Sequence, residues 1–190
     1  DPNLRPEGKS GALVRRLASH LSYYEKWAED WEFQALLKAR FVAGDEALGL
    51  AYENQIKPLV WARTNRAAIV ENARNMRKRV LDLIPQQERD REIKLGRGGL
   101  RDVEFTAQLL QLVHGVSDES VRVADTLSAL DSLSEAGLLG RHDAEKFKTH
   151  YQTLRAIEHR VQLSKLRRDH LLPSDESELR RVARGMQLTA

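Results

Sequence analysis

Lys94-Leu95-Gly96-Arg97-Gly98-Gly99-Leu100-Arg101-Asp102 runs directly into VEFTAQLLQLVH, residues 103–114, and the reading of this junction decides the fold. Three glycines within four positions let the backbone turn tightly and approach a ligand or another chain segment closely. From Leu100 to His114 the pattern turns helical. Val103, Phe105, Ala107, Leu109, Leu110, Leu112 and Val113 make that helix apolar nearly all round, which places it at the centre of its domain. A helix N-terminus carries unpaired N–H groups and partial positive charge. With Lys94, Arg97 and Arg101 alongside, the junction reads either as a plain tight turn or as a cradle for a phosphate or an acidic partner loop. The pattern alone favours the turn, because a short glycine run is a weak motif.

Working outward, helices flank the junction on both sides. Ile69, Ala73, Met76, Val80 and Leu83 recur at spacings of four and three, so a one-faced amphipathic helix precedes Pro85. Gln86 to Glu92 is polar and reads as exposed. Further upstream the pattern is helical from about Ser19 and contains Tyr23, Tyr24, Trp27 and Trp31. These aromatics read as a packing wedge, with base stacking as the sharper alternative. Gly44 reads as the stop of that stretch, Asp45 as the cap of the next helix, and Pro58 as its end near Lys57. Downstream, Leu127, Leu130 and Leu133 line one helix before Gly137. Phe147, Tyr151, Leu154, Ile157, Val161 and Leu166 line a long one from about Asp143 to Arg168. After Pro173, Asp175 and Glu178 read as a capping box for a last helix. Long helices joined by short loops predict a helical bundle.

Residues 1–18 differ. Two prolines, two glycines and the short apolar run Ala12-Leu13-Val14 read as a strand and the tail of an α/β domain. The fold class expected is therefore mainly α, a helical bundle with a short N-terminal β remnant. Residues 1–18 form that remnant, 19–90 the connecting helices and 91–190 the bundle. The start at Asp1, without Met, reads as a cut from something longer.

Composition excludes several classes. With no Cys, disulfides and thiolate metal sites are absent. No apolar run approaches the roughly 20 residues of a membrane-spanning helix, and the N-terminus has no apolar signal core. The 31 basic residues against 28 acidic ones, net +3, are a weak signal for nucleic acid, which needs clustered basic charge. The six His show no His-Glu-x-x-His spacing, and neither a nucleophile elbow nor a Walker loop occurs. Asp102 and Glu104 invite a chelating reading. Two positions apart on a helix they point about 200° from each other, so they cannot grip one ion together. Arg160, Lys165, Arg167 and Arg168 near the end of the long helix read as a solvated face favoured by the dipole, and Glu158 and His159 as satisfied buried or surface groups.

Three stretches together resemble the glutamine synthetase adenylyltransferase/adenylyl-removing family of bacteria. They are DPNLRPEGKSGALV at 1–14, WEFQALLKAR at 31–40 with Ala43-Gly44-Asp45, and KLGRGGLRDVEF at 94–105 with Gln108. The uridylyltransferases that modify the PII signal protein share a looser version of the third stretch only. The resemblance implies two similar halves, each a nucleotidyltransferase domain followed by a helical domain. One transfers AMP from ATP to a tyrosine of glutamine synthetase. The other removes it by phosphorolysis, releasing ADP, and the stretches at 100–105 and 166–173 look more like this deadenylylating half. It also implies Mg²⁺ held by three carboxylates, an ion that takes hard oxygen ligands and bridges to phosphates. Asp1 matches the third of these, as catalytic and metal-binding residue, although Asn3 departs from the usual Arg; the other two acids are missing, so this chain by itself is expected to be inactive. Arg5, Lys94, Gly98, Gly99 and Arg101 are then expected to touch phosphate or the neighbouring catalytic domain. Implied partners are glutamine synthetase, the PII signal protein and the other half of the same enzyme, in the cytoplasm, with no membrane and no nucleic acid. The rival readings are a regulatory helical module that binds PII or the partner domain, or passes a signal between halves, and a protein similar to the PII uridylyltransferases.

Overall fold

A computed structural model describes residues 4–62 and 66–187. Among them the chain forms eight α-helices: α1 Leu17–Lys26, α2 Asp30–Leu36, α3 Glu46–Trp61, α4 Arg66–Asp82, α5 Leu100–His114, α6 Thr126–Glu135, α7 Arg141–Lys165 and α8 Glu176–Gly185. The mainly α bundle expected from the periodicity is what forms. Helix starts follow local chemistry. Asp45, Asp125 and Asp175 each accept a hydrogen bond from a backbone N–H three residues on, at 2.9, 2.9 and 3.0 Å. At α2 a reciprocal capping box joins Glu29 and Glu32, whose carboxylate also accepts from Tyr23 Oη at 3.0 Å.

Helix α5 lies at the centre, against α2, α4, α6 and α7. Its C-terminal end gives Leu112 to one apolar cluster with Tyr24, Phe33, Ile56, Val60 and Ile69. Its N-terminal half gives Val103 and Ala107 to a second, with Val121, Ala129, Leu130 and Leu133. Complete burial of Leu130 and Leu133 is worth about 2 kcal/mol each. One helix thus ties the two cores together.

Several local expectations are corrected. Ala12-Leu13-Val14 is not a strand: no neighbouring strand pairs with it among the described residues, and Leu13 and Val14 are exposed. Among the described residues the strand-like pairing that does form is an isolated antiparallel bridge between Glu92 and Leu171. The first helical stretch breaks at Trp27 and ends at Leu36, well before Gly44. Trp27 lies on the surface and Trp31 is partly exposed, whereas Tyr24 and Phe33 take the core places. Pro58 does not end α3. Its missing N–H costs one bond, but its carbonyl still accepts from Ala62 N at 2.9 Å, and the helix runs to Trp61. Leu83 is exposed because α4 has already ended, and Glu92, expected at the surface, is buried. Helix α7 stops at Lys165, where Leu166 turns left-handed at φ 49°.

Candidate functional site

The glycine junction folds as a corner closed on itself. Leu100 N donates to Ile93 O at 3.0 Å, Arg101 N to Lys94 O at 2.9 Å, and Asp102 N to Gly99 O at 3.0 Å. Gly99 N donates to Gly96 O at 3.1 Å and Gly98 N to Asp102 Oδ2 at 2.7 Å. The N–H groups at the start of α5 are therefore occupied, as in the plain tight turn that the pattern favoured over an anion cradle. Each glycine has its own reason. At Gly99 a side chain would meet Ile93 O at 2.7 Å and Lys94 O at 2.9 Å, at Gly96 it would run into Glu92 O, and Gly98 has φ +71° with open space around it.

Arg77 of α4 clamps the corner from outside. It donates to Leu95 O at 2.7 Å and Gly96 O at 2.8 Å and pairs with Asp102. Glu92 secures it from below, accepting from Lys94 N at 2.8 Å and Leu95 N at 2.9 Å. Its other oxygen lies 2.6 Å from His170 Nδ1, beside the bridge to Leu171. A cavity of about 490 Å³ lies beside the corner, lined in part by Arg89, Arg97, Gly98, Gly99 and Leu154.

Lys94 and Arg101, expected to face a phosphate, are drawn into the bundle. Lys94 Nζ donates to Glu158 Oε1 at 3.0 Å, and Arg155 Nη1 donates to Glu158 Oε2 at 2.6 Å. Burial pushes the Glu158 carboxyl up, but Lys94 and Arg155 together outweigh it and hold the group below its ordinary value. Arg101 lies 3.4 Å from Glu104, which also accepts from Arg155 at 2.5 Å and from Tyr151 Oη at 3.2 Å. Lys38, just past α2, stands 3.9 Å from the same carboxylate and donates to Thr126 Oγ1 at 2.7 Å. Arg5 closes its own turn, donating to Gly11 O at 2.9 Å and Lys9 O at 3.1 Å. Asp1 lies outside the described residues.

Lys38, Arg77, Glu104 as a hub and Arg155 were missed in the sequence, yet a signal was there. Glu104, Gln108 and Gln111 on α5 and Tyr151, Arg155 and Glu158 on α7 both repeat at spacings of four and three. Each is a polar stripe on one face of a helix that is otherwise largely apolar on that side. Gln108 accepts from Gln34 at 2.9 Å, and Gln111 donates to Val121 O and Val123 O at 2.7 and 2.8 Å. Buried polar groups need such partners, so a polar stripe on a central helix announces a network.

Asp102 and Glu104 do point apart, the first to Arg77 and the second to Arg155. No group of three or more His, Cys, Asp or Glu able to hold a metal occurs among the described residues. These residues do not fit a magnesium site by themselves. No helix among them is long and apolar enough to cross a membrane.

A family model described as GlnD PII-uridylyltransferase matches residues 74–190, well beyond the glycine segment to which that likeness was expected to be confined. A second, described as glutamate-ammonia ligase adenylyltransferase, matches residues 1–55. The bifunctional glutamine synthetase adenylyltransferase/adenylyl-removing enzyme of Streptomyces coelicolor is 54% identical over 188 residues, 99% of this chain and 19% of that protein. Its counterpart in Leifsonia xyli subsp. xyli is 56% identical over 190 residues, 100% of this chain and 19% of that protein. The one in Bifidobacterium longum is 58% identical over 173 residues, 91% of this chain and 16% of that protein. The chain thus spans about a fifth of the length of the curated relatives it matches. It belongs to the family that the GlnD PII-uridylyltransferase model describes, and it is similar from end to end to the bifunctional glutamine synthetase adenylyltransferase/adenylyl-removing enzymes.

Proposed function

We propose that this chain is the helical part of an enzyme that adds AMP from ATP to a tyrosine of glutamine synthetase and removes it by phosphorolysis to ADP, in the cytoplasm, in the control of nitrogen assimilation. The observation that carries the reading is a coincidence of sequence and structure. One of the two more specific stretches of the resemblance, residues 94–105, is also the corner where α4, α5 and α7 are fastened together. In the whole enzyme, Mg²⁺ and the nucleotide belong to a nucleotidyltransferase domain, with Asp1 as one carboxylate ligand. The corner is a rigid abutment for that domain or for the other half. Its exposed part is Arg97 and Gly98; Lys94, Gly99 and Arg101 hold that part in shape.

The likeness of residues 100–105 and 166–173 favours the deadenylylating half. The half that contains this chain, made together with its own nucleotidyltransferase domain and without the other half, should release ADP from AMP-modified glutamine synthetase and phosphate. Absence of ADP while AMP transfer from ATP persists would assign the chain to the other half. Arg97→Glu in the whole enzyme should slow turnover about tenfold, the effect of one lost charged contact, with the melting temperature unchanged. Normal turnover would remove the abutment role.

The match of residues 74–190 to a model named for PII uridylylation favours a second reading, a module that binds the PII signal protein. Capture of this chain by purified PII would support it. Failure to bind PII, together with restored turnover when the chain is added to a separately made catalytic domain, would favour the first.

A further inference from the structure

Lys38 follows α2, Arg101 sits in the first turn of α5, and Arg155 lies midway along α7. All three converge on the single carboxylate of Glu104, and Arg155 and Lys94 converge on Glu158. Four cations thus surround two carboxylates. Asp125, another acid close enough to act on Lys38, is engaged with Ser128 N and Oγ at the start of α6. Positive charge is in excess here, and the surplus faces outward: side-chain exposure is 38% for Lys38, 35% for Arg101 and 31% for Arg155, against 7% for Glu104.

The cations are also held in place. Arg101 lies over the Phe105 ring at 5.3 Å and Arg155 over the Tyr151 ring at 5.1 Å, which fixes both guanidinium planes. Burial pulls the Lys38 ammonium below its ordinary range; Glu104 and Asp125 oppose this, and the like charges of Arg155 and Arg101 add to it. An arriving anion would relieve that crowding. Two planar forks and one ammonium around a common point suit an oxyanion with several acceptor oxygens.

We propose that Lys38, Arg101 and Arg155 form a binding site for a phosphate-type oxyanion, which competes for the three cations with the buried carboxylate of Glu104. The site does not depend on the enzymatic reading above, because this chain alone suffices to test it.

The test is a titration of the chain with inorganic phosphate and, separately, with ADP, followed by NMR of the Lys38 side chain and by thermal melting. Phosphate should bind saturably and raise the Lys38 pKa. Lys38→Gln and Arg101→Gln should each weaken binding about tenfold or more, the worth of one charge-assisted hydrogen bond. Arg101→Lys, which keeps the charge, should retain more affinity than Arg101→Gln. Glu104→Gln removes the internal competitor and should tighten binding several-fold, which a purely structural ion-pair cluster would not do. If that variant unfolds, the comparison of Arg101→Gln with Arg101→Lys decides. Tighter binding of ADP than of phosphate identifies a nucleotide as the source of the oxyanion; equal or weaker binding identifies free phosphate. No saturable binding of either at millimolar concentration, or equal binding to Arg101→Gln and the unaltered chain, overturns the site.

Discussion

Lys94 Nζ reaches Glu158 Oε1 at 3.0 Å across 64 positions of sequence, joining the glycine corner to the middle of α7. Glu158 is almost fully enclosed, and Arg155 on its other oxygen completes a three-member ion cluster. The position of the corner against the bundle depends on this contact.

Removing Glu158 leaves Lys94 without its carboxylate and Arg155 with Glu104 alone. Glu158→Ala should lower stability by about 3 kcal/mol, near the bottom of the range for breaking a buried pair, because Lys94 and Arg155 keep some access to water. Urea unfolding measures it. Combined with Lys94→Met the loss should be less than additive, since the two changes remove one shared interaction.

The three glycines should differ sharply under substitution. Gly98→Ala meets open space but must keep φ near +71°, which costs about 1 kcal/mol. Gly99→Ala and Gly96→Ala drive a methyl group into backbone carbonyls that cannot move without opening the corner. Each should cost at least ~2 kcal/mol, in the manner of an overpacked core. Thermal melting of the three variants would show the order, and equal losses would contradict it.

Arg77 should matter more than an ordinary surface arginine. Arg77→Met removes the donor that satisfies Leu95 O and Gly96 O and leaves Asp102 without its cation. A loss of about 2–3 kcal/mol is expected from the unsatisfied acceptors. Amide hydrogen exchange should accelerate at Gly98 to Asp102 before it does in α6.

Acid sensitivity should come partly from Asp169. Burial pushes its carboxyl up, but Leu171 N, Lys165 and the His170 backbone bring it down to about 2. A depressed folded pKa contributes stability above the unfolded value of about 3.9, and that contribution disappears as pH falls toward 2. Glu158, also depressed, acts in the same direction. In Asp169→Asn the stability of the chain should fall less steeply between pH 4 and pH 2 than in the unaltered protein, as read from urea midpoints at each pH.

Much of the architecture was legible because helix formation is written locally. The limits Leu100–His114 for α5 match the apolar pattern, and Asp45 and Asp175 cap helices where short-range chemistry places them. The misses have local causes too. Pro58 sits in the last turn of α3, where one absent N–H is tolerated, and Ala12–Val14 lacks the neighbour that would make a strand of an extended run. The charged residues were harder. Lys94 beside three glycines looks like an anion ligand along the chain, yet in space it meets the buried Glu158 on α7.

By itself the amino-acid order determined a helical bundle built around one apolar central helix, and a tight glycine turn leading into that helix. Both follow from backbone sterics and the 3.6-residue period, which act over a few neighbouring positions. Only the tertiary structure decided that Glu104 and Glu158 are enclosed hubs, that Arg77, far upstream, clamps the corner, and that Lys38, Arg101 and Arg155 meet around one carboxylate. Electrostatic partners are chosen by distance in space and by the water that packing removes, and neither quantity exists until the helices have come together.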